Sequence, residues 1–226
     1  MSNKVGSNTL ASPAVAARLA SLFAEADAKD PAVLSEIQSE ADARFGGQRY
    51  HPQLAAMFDA AFIPVPPEVG QLIYVLTRSQ RPATIVEVGT SYGISAIHFA
   101  AALKDNNAGR LITAELSAVK AKAARANLEE LALHQWVEIR QGDAFQTLQN
   151  LGAPIDMLFL DGWKDFYLPL LQSLEPQLRP GALVIGDDTK LFPERLASYL
   201  AYVRNPANYQ SVDLPIGDGV ELSVKL

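Results

Sequence analysis

The chain has 226 residues, of which 49% are hydrophobic, and its formal net charge at pH 7 is -6. This length suits one α/β domain, and the absence of cysteine excludes disulfides, thiolate nucleophiles and zinc–thiolate sites. The acidic balance, the lack of a dense Lys/Arg block, and the lack of a signal peptide or an apolar stretch of roughly 20 residues predict a cytoplasmic protein that binds neither nucleic acid nor membrane.

The first 62 residues predict a helical cap that belongs to the same domain as the rest of the chain. Ser12 is a helix N-cap and Pro13 suits the first helical position. Asp30 is predicted to cap a second helix. We expect this cap to cover hydrophobic surface, with a direct role in substrate binding as the alternative, and to be able to make a homodimer contact. The predicted helices are 14–29, 31–44 and 54–61.

From residue 63 onward, helical and strand patterns alternate, as in a doubly wound sheet. Strands are predicted at 85–88, 111–114, 137–140, 156–160 and 183–185, with a C-terminal hairpin at 210–214 and 220–225. Helices are predicted at 69–77, 95–103, 118–131, 166–174 and 194–203. The predicted fold is therefore a Rossmann-like α/β core over 63–226, whose seven-stranded sheet is mostly parallel and ends in an antiparallel hairpin.

Acidic side chains follow two of these predicted strands. Asp161 comes directly after the fourth strand, and Asp187 and Asp188 come after the fifth. Because ligands collect at the carboxyl ends of parallel strands, we expect these acids and Lys164 to converge. Carboxylate oxygens suit Mg²⁺ or another hard divalent cation such as Ca²⁺ or Mn²⁺. A lysine beside such a cation has a lowered pKa and can act as a base.

A glycine turn follows the first predicted strand and suits a nucleotide-like ligand. It runs from Glu87 to Gly93, with glycine at 89 and 93, and it lacks the G-x-G-x-x-G pattern that binds a dinucleotide. Glu115 ends the second strand and can accept hydrogen bonds from ribose hydroxyls. Asp143 and Ala144 follow the third strand, near the expected adenine. In this order, the elements indicate S-adenosylmethionine.

For three of these residues, a structural role is an alternative to contact with the cofactor. Tyr92 is either a contact for the cofactor tail or an aromatic residue of the loop. Ser95 either bonds the methionine carboxylate or begins a helix, and Asp143 either contacts adenine or caps the next helix.

Two segments resemble the class I cation-dependent O-methyltransferases, the family of the catechol and caffeoyl-CoA O-methyltransferases. Leu160-Asp-Gly-Trp-Lys-Asp-Phe-Tyr167 is similar to the metal and base segment of the catechol enzyme, and the turn from Glu87 to Gly93 is similar to its cofactor loop. The resemblance covers about residues 63–226. It implies methyl transfer from S-adenosylmethionine to a hydroxyl of a catechol-type or other vicinal-dihydroxy aromatic molecule.

The resemblance also implies roles for individual residues. Asp161, Asp187 and Asp188 would hold the metal, and Lys164 would take the proton of the attacking hydroxyl. Trp163 would pack near the adenine. The predicted cofactor contacts are Val65, Glu87, Gly89, Tyr92, Gly93, Ser95, Glu115, Asp143, Ala144, Asp161 and Trp163.

The chain departs from the family pattern at three positions, one of which is Gly162, where the segment of the catechol enzyme has histidine. Asp188 stands where the family usually has asparagine, and Asp213 is the nearest match to a glutamate that contacts the second substrate hydroxyl. Three alternatives stay open: a metal-independent small-molecule methyltransferase, a nucleotide-dependent oxidoreductase, and a non-catalytic S-adenosylmethionine-binding protein.

Overall fold

The structure, a computed structural model, describes residues 8–48 and 51–226 and contains a seven-stranded sheet with the order β3-β2-β1-β4-β5-β7-β6. Neighbouring strands among β1 to β5 pair in parallel, and β7 is antiparallel to both β5 and β6. The predicted fold class is confirmed. The strands are β1 (Thr84–Val88), β2 (Arg110–Glu115), β3 (Val137–Gln141), β4 (Ile155–Leu160), β5 (Leu178–Gly186), β6 (Tyr209–Leu214) and β7 (Val220–Lys225).

Helices cover both faces of this sheet. In the described part of the chain, no helix is both long and apolar enough to cross a membrane. The α-helices are α1 (Pro13–Phe45), α2 (Pro67–Gln80), α3 (Ile94–Asn106), α4 (Ala118–Glu130), α5 (Ala144–Thr147), α6 (Tyr167–Leu174) and α7 (Ala197–Val203). Short 3₁₀ segments lie at Thr9–Ala11, Pro52–Ala60, His134–Trp136, Lys164–Phe166 and Glu175–Gln177.

The apolar core has two main layers because successive strand residues point to opposite faces of the sheet. Ile85 of β1 belongs to the layer that also contains residues of α1, α2 and α3, whereas Val86 belongs to the layer that contains residues of α6 and α7. Strand β4 shows the same alternation between Met157 and Leu158. The central strands therefore have no solvated face, as their nearly continuous apolar sequence predicts.

The predicted break between two N-terminal helices is wrong. Helix α1 continues through Pro31, although proline removes one helical hydrogen bond. The apolar face packs on both sides of this point, with Leu22 in one buried cluster and Ile37 in another, and this packing holds the two halves in one helix. Asp30, predicted to be a cap, instead accepts hydrogen bonds from the backbone N–H groups of Phe62 at 2.7 Å and Ile63 at 2.8 Å.

The third predicted helix is also different in type. Pro52–Ala60 forms 3₁₀ turns, which bury Leu54 and Phe58 against Ile37 and Ala41 of α1. Sequence periodicity located this apolar segment, but it did not distinguish a 3₁₀ helix from an α-helix.

The turn after β1 packs directly against the end of β4. The backbone N–H of Asp161 donates to Val88 O at 3.0 Å, and this bond extends the β1–β4 pairing by one residue. Gly89 has φ +100°, and a Cβ atom there would lie 2.4 Å from the carbonyl oxygen of Asp161. Only glycine satisfies both the backbone angle and the close approach of the two chains.

We expect Gly89→Ala to lower the free energy of unfolding by about 2–5 kcal/mol, since a positive φ costs a side chain about 1–2 kcal/mol and overpacking adds about 1–3 kcal/mol. Gly152→Ala is the matched control, because Gly152 has φ +74° and nothing within 4 Å of the added atom. The control should lose only about 1–2 kcal/mol. Equal losses in urea denaturation would show that the contact with Asp161 has no energetic role.

Candidate active site

The predicted acids meet at the carboxyl edge of the sheet. Leu160 of β4 pairs with Gly186 of β5, so the next residues, Asp161 and Asp187, leave adjacent strands side by side. The backbone N–H of Asp187 donates to Leu160 O at 3.1 Å, which fixes this register up to the end of the strands. Asp188 follows with φ +64°, a left-handed conformation that turns the chain away from the sheet.

Lys164 lies at the centre of these acids. Its ammonium contacts Asp161 Oδ1 at 3.2 Å and Asp188 Oδ2 at 2.6 Å, and it donates to the Tyr167 hydroxyl at 2.8 Å. The side chain is only 7% exposed. The 3₁₀ turn Lys164–Phe166 leads directly into α6, and this path brings the Tyr167 hydroxyl within hydrogen-bond distance of the Lys164 ammonium. From the sequence, Tyr167 was expected to serve local structure and not chemistry, so its bond to Lys164 was not predicted, although the three-residue spacing was visible.

The charges of the cluster shift the pKa values of its members. Burial raises the pKa of Asp161 to about 7 and that of Asp187 to about 8, and carboxylate neighbours add to both shifts while Lys164 opposes them. For Lys164, burial favours the neutral amine, but Tyr167 and the two contacting carboxylates outweigh burial and raise its pKa well above the ordinary value. The lysine is therefore protonated when these groups are its only neighbours, contrary to the lowered pKa that a nearby cation would cause.

The cluster has the ligand chemistry of a hard cation site but not its arrangement. Three carboxylates are present, and Asp187 Oδ1 is buried without a hydrogen-bond partner. Such an uncompensated oxygen is costly unless a cation or proton reaches it. However, across the described residues no three His, Cys, Asp or Glu side chains are positioned so that they could hold a metal ion. A divalent cation would therefore compete with Lys164 for Asp161 and Asp188.

Beside this cluster, the glycine turn and the second strand form an acceptor for hydroxyl groups. Glu115 ends β2, and its carboxylate accepts hydrogen bonds from the backbone N–H groups of Ser91 at 2.8 Å and Ser117 at 2.9 Å. Each carboxylate oxygen has a second lone pair available. Gly93 has φ +86° and is the N-cap residue of α3.

Glu87 is fully buried under the glycine turn. The Thr113 hydroxyl donates to its Oε2 at 2.6 Å, and its Oε1 has no hydrogen-bond partner. Burial raises the pKa of Glu87 to about 7, although the hydroxyls of Ser95 and Thr113 favour the charged form. Ser95 is thus close to Glu87 and does not serve as the N-cap of α3. Glu87 Oε1 is therefore a buried carboxylate oxygen without a hydrogen-bond partner, and it lies next to the candidate cofactor site.

Residues 59–65, where the N-terminal cap joins the core, cover the glycine turn and are called the strap below. The Ser91 hydroxyl donates to Phe62 O at 2.6 Å, and the Tyr92 hydroxyl donates to Asp59 O at 2.9 Å. The Phe62 and Tyr92 rings stack with centroids 3.9 Å apart. The strap and the turn enclose a small cleft lined by Phe62, Ile63, Pro64, Val65, Gly89, Thr90, Ser91, Tyr92, Ile94, Ser95 and Asp161.

The cleft brings together many of the predicted cofactor residues, but others lie elsewhere. Trp163 packs edge-on against Phe58 of the N-terminal cap, with centroids 5.6 Å apart. Asp143 caps α5 by accepting from Phe145 N at 2.9 Å, and Ala144 begins that helix. Their contacts with adenine stay predictions. The cleft also includes strap residues that sequence reasoning missed, because no local motif marks a contact across 29 or more positions.

The substrate contact of Asp213 on the C-terminal hairpin stays a prediction. Asp213 is exposed on β6 and pairs with Glu221 of β7. Asp218, in the turn between these strands, has a raised pKa because of burial and then because of Asp188 and Glu68. The turn is held beside the segment that follows β5, because the backbone N–H of Lys190 donates to Asp218 O at 2.8 Å.

Comparison with known proteins identifies the family. A methyltransferase-domain family profile matches residues 86–189. A catechol O-methyltransferase from Niastella koreensis is 35% identical over 130 residues, which are 56% of this chain and 58% of that protein. The catechol O-methyltransferase of Sus scrofa is 30% identical over 148 residues, covering 62% of this chain and 77% of that protein. The chain belongs to the catechol O-methyltransferase family.

A solved structure extends the likeness to the fold. The O-methyltransferase from Bacillus cereus, solved in complex with SAH, is 24% identical, with a TM-score of 0.65 over 86% of this chain and 91% of that chain. The family predicted from the two sequence segments is confirmed. The chain spans less than two thirds of the Niastella koreensis relative, at 58% of its length.

The raised pKa of Glu87 predicts how the stability of the fold depends on pH. Its pKa of about 7 in the folded protein exceeds the ordinary 4.5, so the folded state holds the proton more tightly than the unfolded state does. The contribution of Glu87 to stability is therefore retained below pH 4 and declines as pH rises through 7, by about 3 kcal/mol in total. Glu87→Gln mimics the protonated form and should lose less stability than the wild type between pH 5 and 8.

Urea denaturation of both proteins at several pH values measures this difference. Glu138→Gln is a suitable control, because Glu138 is exposed on β3. Parallel curves for wild type and Glu87→Gln would contradict the raised pKa.

Proposed function

We propose that the protein is an S-adenosylmethionine-dependent O-methyltransferase that methylates a hydroxyl of a catechol-type or other vicinal-dihydroxy aromatic molecule with the help of a divalent cation. The observation that carries this proposal is the buried Lys164 between Asp161 and Asp188, beside the glycine turn that ends β1. Membership in the catechol O-methyltransferase family supports the same chemistry.

The charges around the cleft suit the parts of the cofactor. Glu115 is fixed by two backbone N–H groups and has lone pairs free for two ribose hydroxyls. Glu87 and Asp161 are acidic groups next to the path of a ligand that carries a sulfonium and an ammonium. The strap and the glycine turn would enclose the methionine part, since Val65, Tyr92 and Ser95 line one cleft.

Asp161, Asp187 and Asp188 would hold the cation if it displaced the Lys164 ammonium from its ion pairs with Asp161 and Asp188. When bound, it would supply positive charge that acidifies a ligated hydroxyl and offsets the carboxylates that keep Lys164 protonated. The unpartnered Asp187 Oδ1 supports a site that is incomplete without further positive charge.

The chain's own residues then carry out the transfer. Lys164 Nζ accepts the proton of the attacking hydroxyl, and the Tyr167 hydroxyl holds the amine in place. The oxygen attacks the methyl carbon in line with the carbon–sulfur bond. That bond breaks as the carbon–oxygen bond forms, leaving a methyl ether, S-adenosylhomocysteine and the Lys164 ammonium. Fixing two reactants in this geometry supplies much of the acceleration.

One observation favours a second candidate, a metal-independent methyltransferase. Lys164 already makes ion pairs with two of the three carboxylates, and no metal-binding arrangement is formed by the described side chains. In this alternative, the acids position Lys164 and the substrate without a cation. A homodimer and a small aromatic diol as the binding partner remain part of the proposal.

Removal of metal separates the two candidates. Protein treated with excess chelator should lose methyl transfer to a panel of catechols and hydroxycinnamates, and added Mg²⁺ should restore it. Product mass spectrometry identifies the methylated acceptor, and calorimetry checks that S-adenosylmethionine still binds.

Full activity in excess chelator would contradict the cation and favour the metal-independent enzyme. Cofactor binding without a methylated product in any condition would instead indicate a non-catalytic binding protein. An absorbance change with nicotinamide cofactors would support the oxidoreductase alternative.

A further inference from the structure

Lys120 is a buried cation that the proposed mechanism does not use. It lies in the first turn of α4, where its backbone N–H donates to the capping Ser117 hydroxyl at 3.2 Å, and the residue is 8% exposed. A helix N-terminus carries partial positive charge, so an ammonium is unfavourable there. Burial adds a desolvation cost. This position therefore needs a compensating interaction.

The protein itself supplies only part of that compensation. The Lys120 ammonium lies 6.0 Å from the centroid of the Tyr92 ring, and it makes no hydrogen bond or ion pair with any residue in the ranges 8–48 and 51–226. Burial lowers its pKa, and more distant acids, led by Glu115 and Asp59, act in the opposite direction. The acids favour a charged lysine without contacting it, which leaves its three donors open to an anionic ligand.

The position of Lys120 indicates which ligand this is. Tyr92 belongs to the glycine turn and lines the cleft enclosed by the strap, and the Lys120 ammonium lies 6.0 Å from the centroid of its ring, so Lys120 neighbours a residue of the cleft wall. On the proposed function, the occupant is S-adenosylmethionine, whose single anionic group is the α-carboxylate of its amino-acid tail. We propose that Lys120 binds this carboxylate and positions the methionine part of the cofactor.

This assignment completes the charge pattern of the cleft. With the cofactor bound as proposed, Glu87 and Asp161 would be the acids facing its two positive groups, and Lys120 would provide the matching positive charge for the negative one. The ammonium would gain a charge-assisted hydrogen bond in place of the water that it lost on folding. A purely structural lysine would show no preference for a ligand that carries a carboxylate.

The test compares two ligands on one set of proteins. Calorimetry measures the affinities of wild type, Lys120→Met and Lys122→Met for S-adenosylmethionine and for its decarboxylated analogue. Lys122 is exposed on the same helix and is the matched control. We expect Lys120→Met to bind S-adenosylmethionine at least about tenfold more weakly and to bind the analogue as the wild type does, because only the first ligand loses a charge-assisted bond.

Two readouts separate this role from a structural one. Without ligand, Lys120→Met should unfold at the same temperature as the wild type or a higher one, because it removes a buried charge that lacks a contacting acceptor. Lys120→Arg keeps the charge and should keep the preference for S-adenosylmethionine over the analogue, which provides a test even if the methionine variant does not fold.

Equal loss of affinity for both ligands in Lys120→Met, no loss for either, or loss of the preference in Lys120→Arg would overturn the assignment. If the wild type binds neither ligand, the proposed function itself fails. If the wild type binds both with equal affinity, only the role of Lys120 fails.

Discussion

The candidate active site depends on one constraint, the parallel pairing of β1, β4 and β5. This pairing brings the carboxyl ends of the strands to one edge, so that Asp161 and Asp187 leave the sheet on adjacent strands. Three carboxylates in a partly buried space repel each other, and Lys164 is the cation that the chain places among them. The close contact of Gly89 with Asp161 holds the glycine turn against the same cluster.

Several groups around this edge are held in states that cost folding energy. Glu87 and Asp187 each have a buried carboxylate oxygen without a partner, and Lys120 is buried at a helix N-terminus. The rest of the fold offsets these costs through two continuous apolar layers, one on each face of the sheet. Uncompensated charges concentrated at one edge are the pattern of a site prepared for charged ligands.

The sequence predicted the parts of the structure that rest on local pattern. The strands follow from apolar runs, and the positions of Asp161, Asp187 and Asp188 follow from their place just after such runs. Tyr167 could have been assigned from its three-residue spacing to Lys164.

Other features depend on contacts between distant parts of the chain, which local patterns do not reveal. Helix α1 passes through Pro31 because packing on both sides outweighs one lost hydrogen bond. Asp30 binds backbone groups 32 and 33 positions away, and it stabilises the strap instead of capping a helix. The edge-on contact of Trp163 with Phe58 of the N-terminal cap was not predicted either.

The central claim is that Lys164 accepts the substrate proton within the carboxylate cluster, and the single-turnover rate of Lys164→Met tests it most directly. With cofactor and acceptor saturating, the rate of methyl transfer should fall by about 10²- to 10⁴-fold, as for loss of a general base, while the affinity for S-adenosylmethionine stays near that of the wild type. Lys122→Met, on exposed helix surface, should react at the wild-type rate. A folded Lys164→Met protein that transfers the methyl group as fast as the wild type would contradict the account.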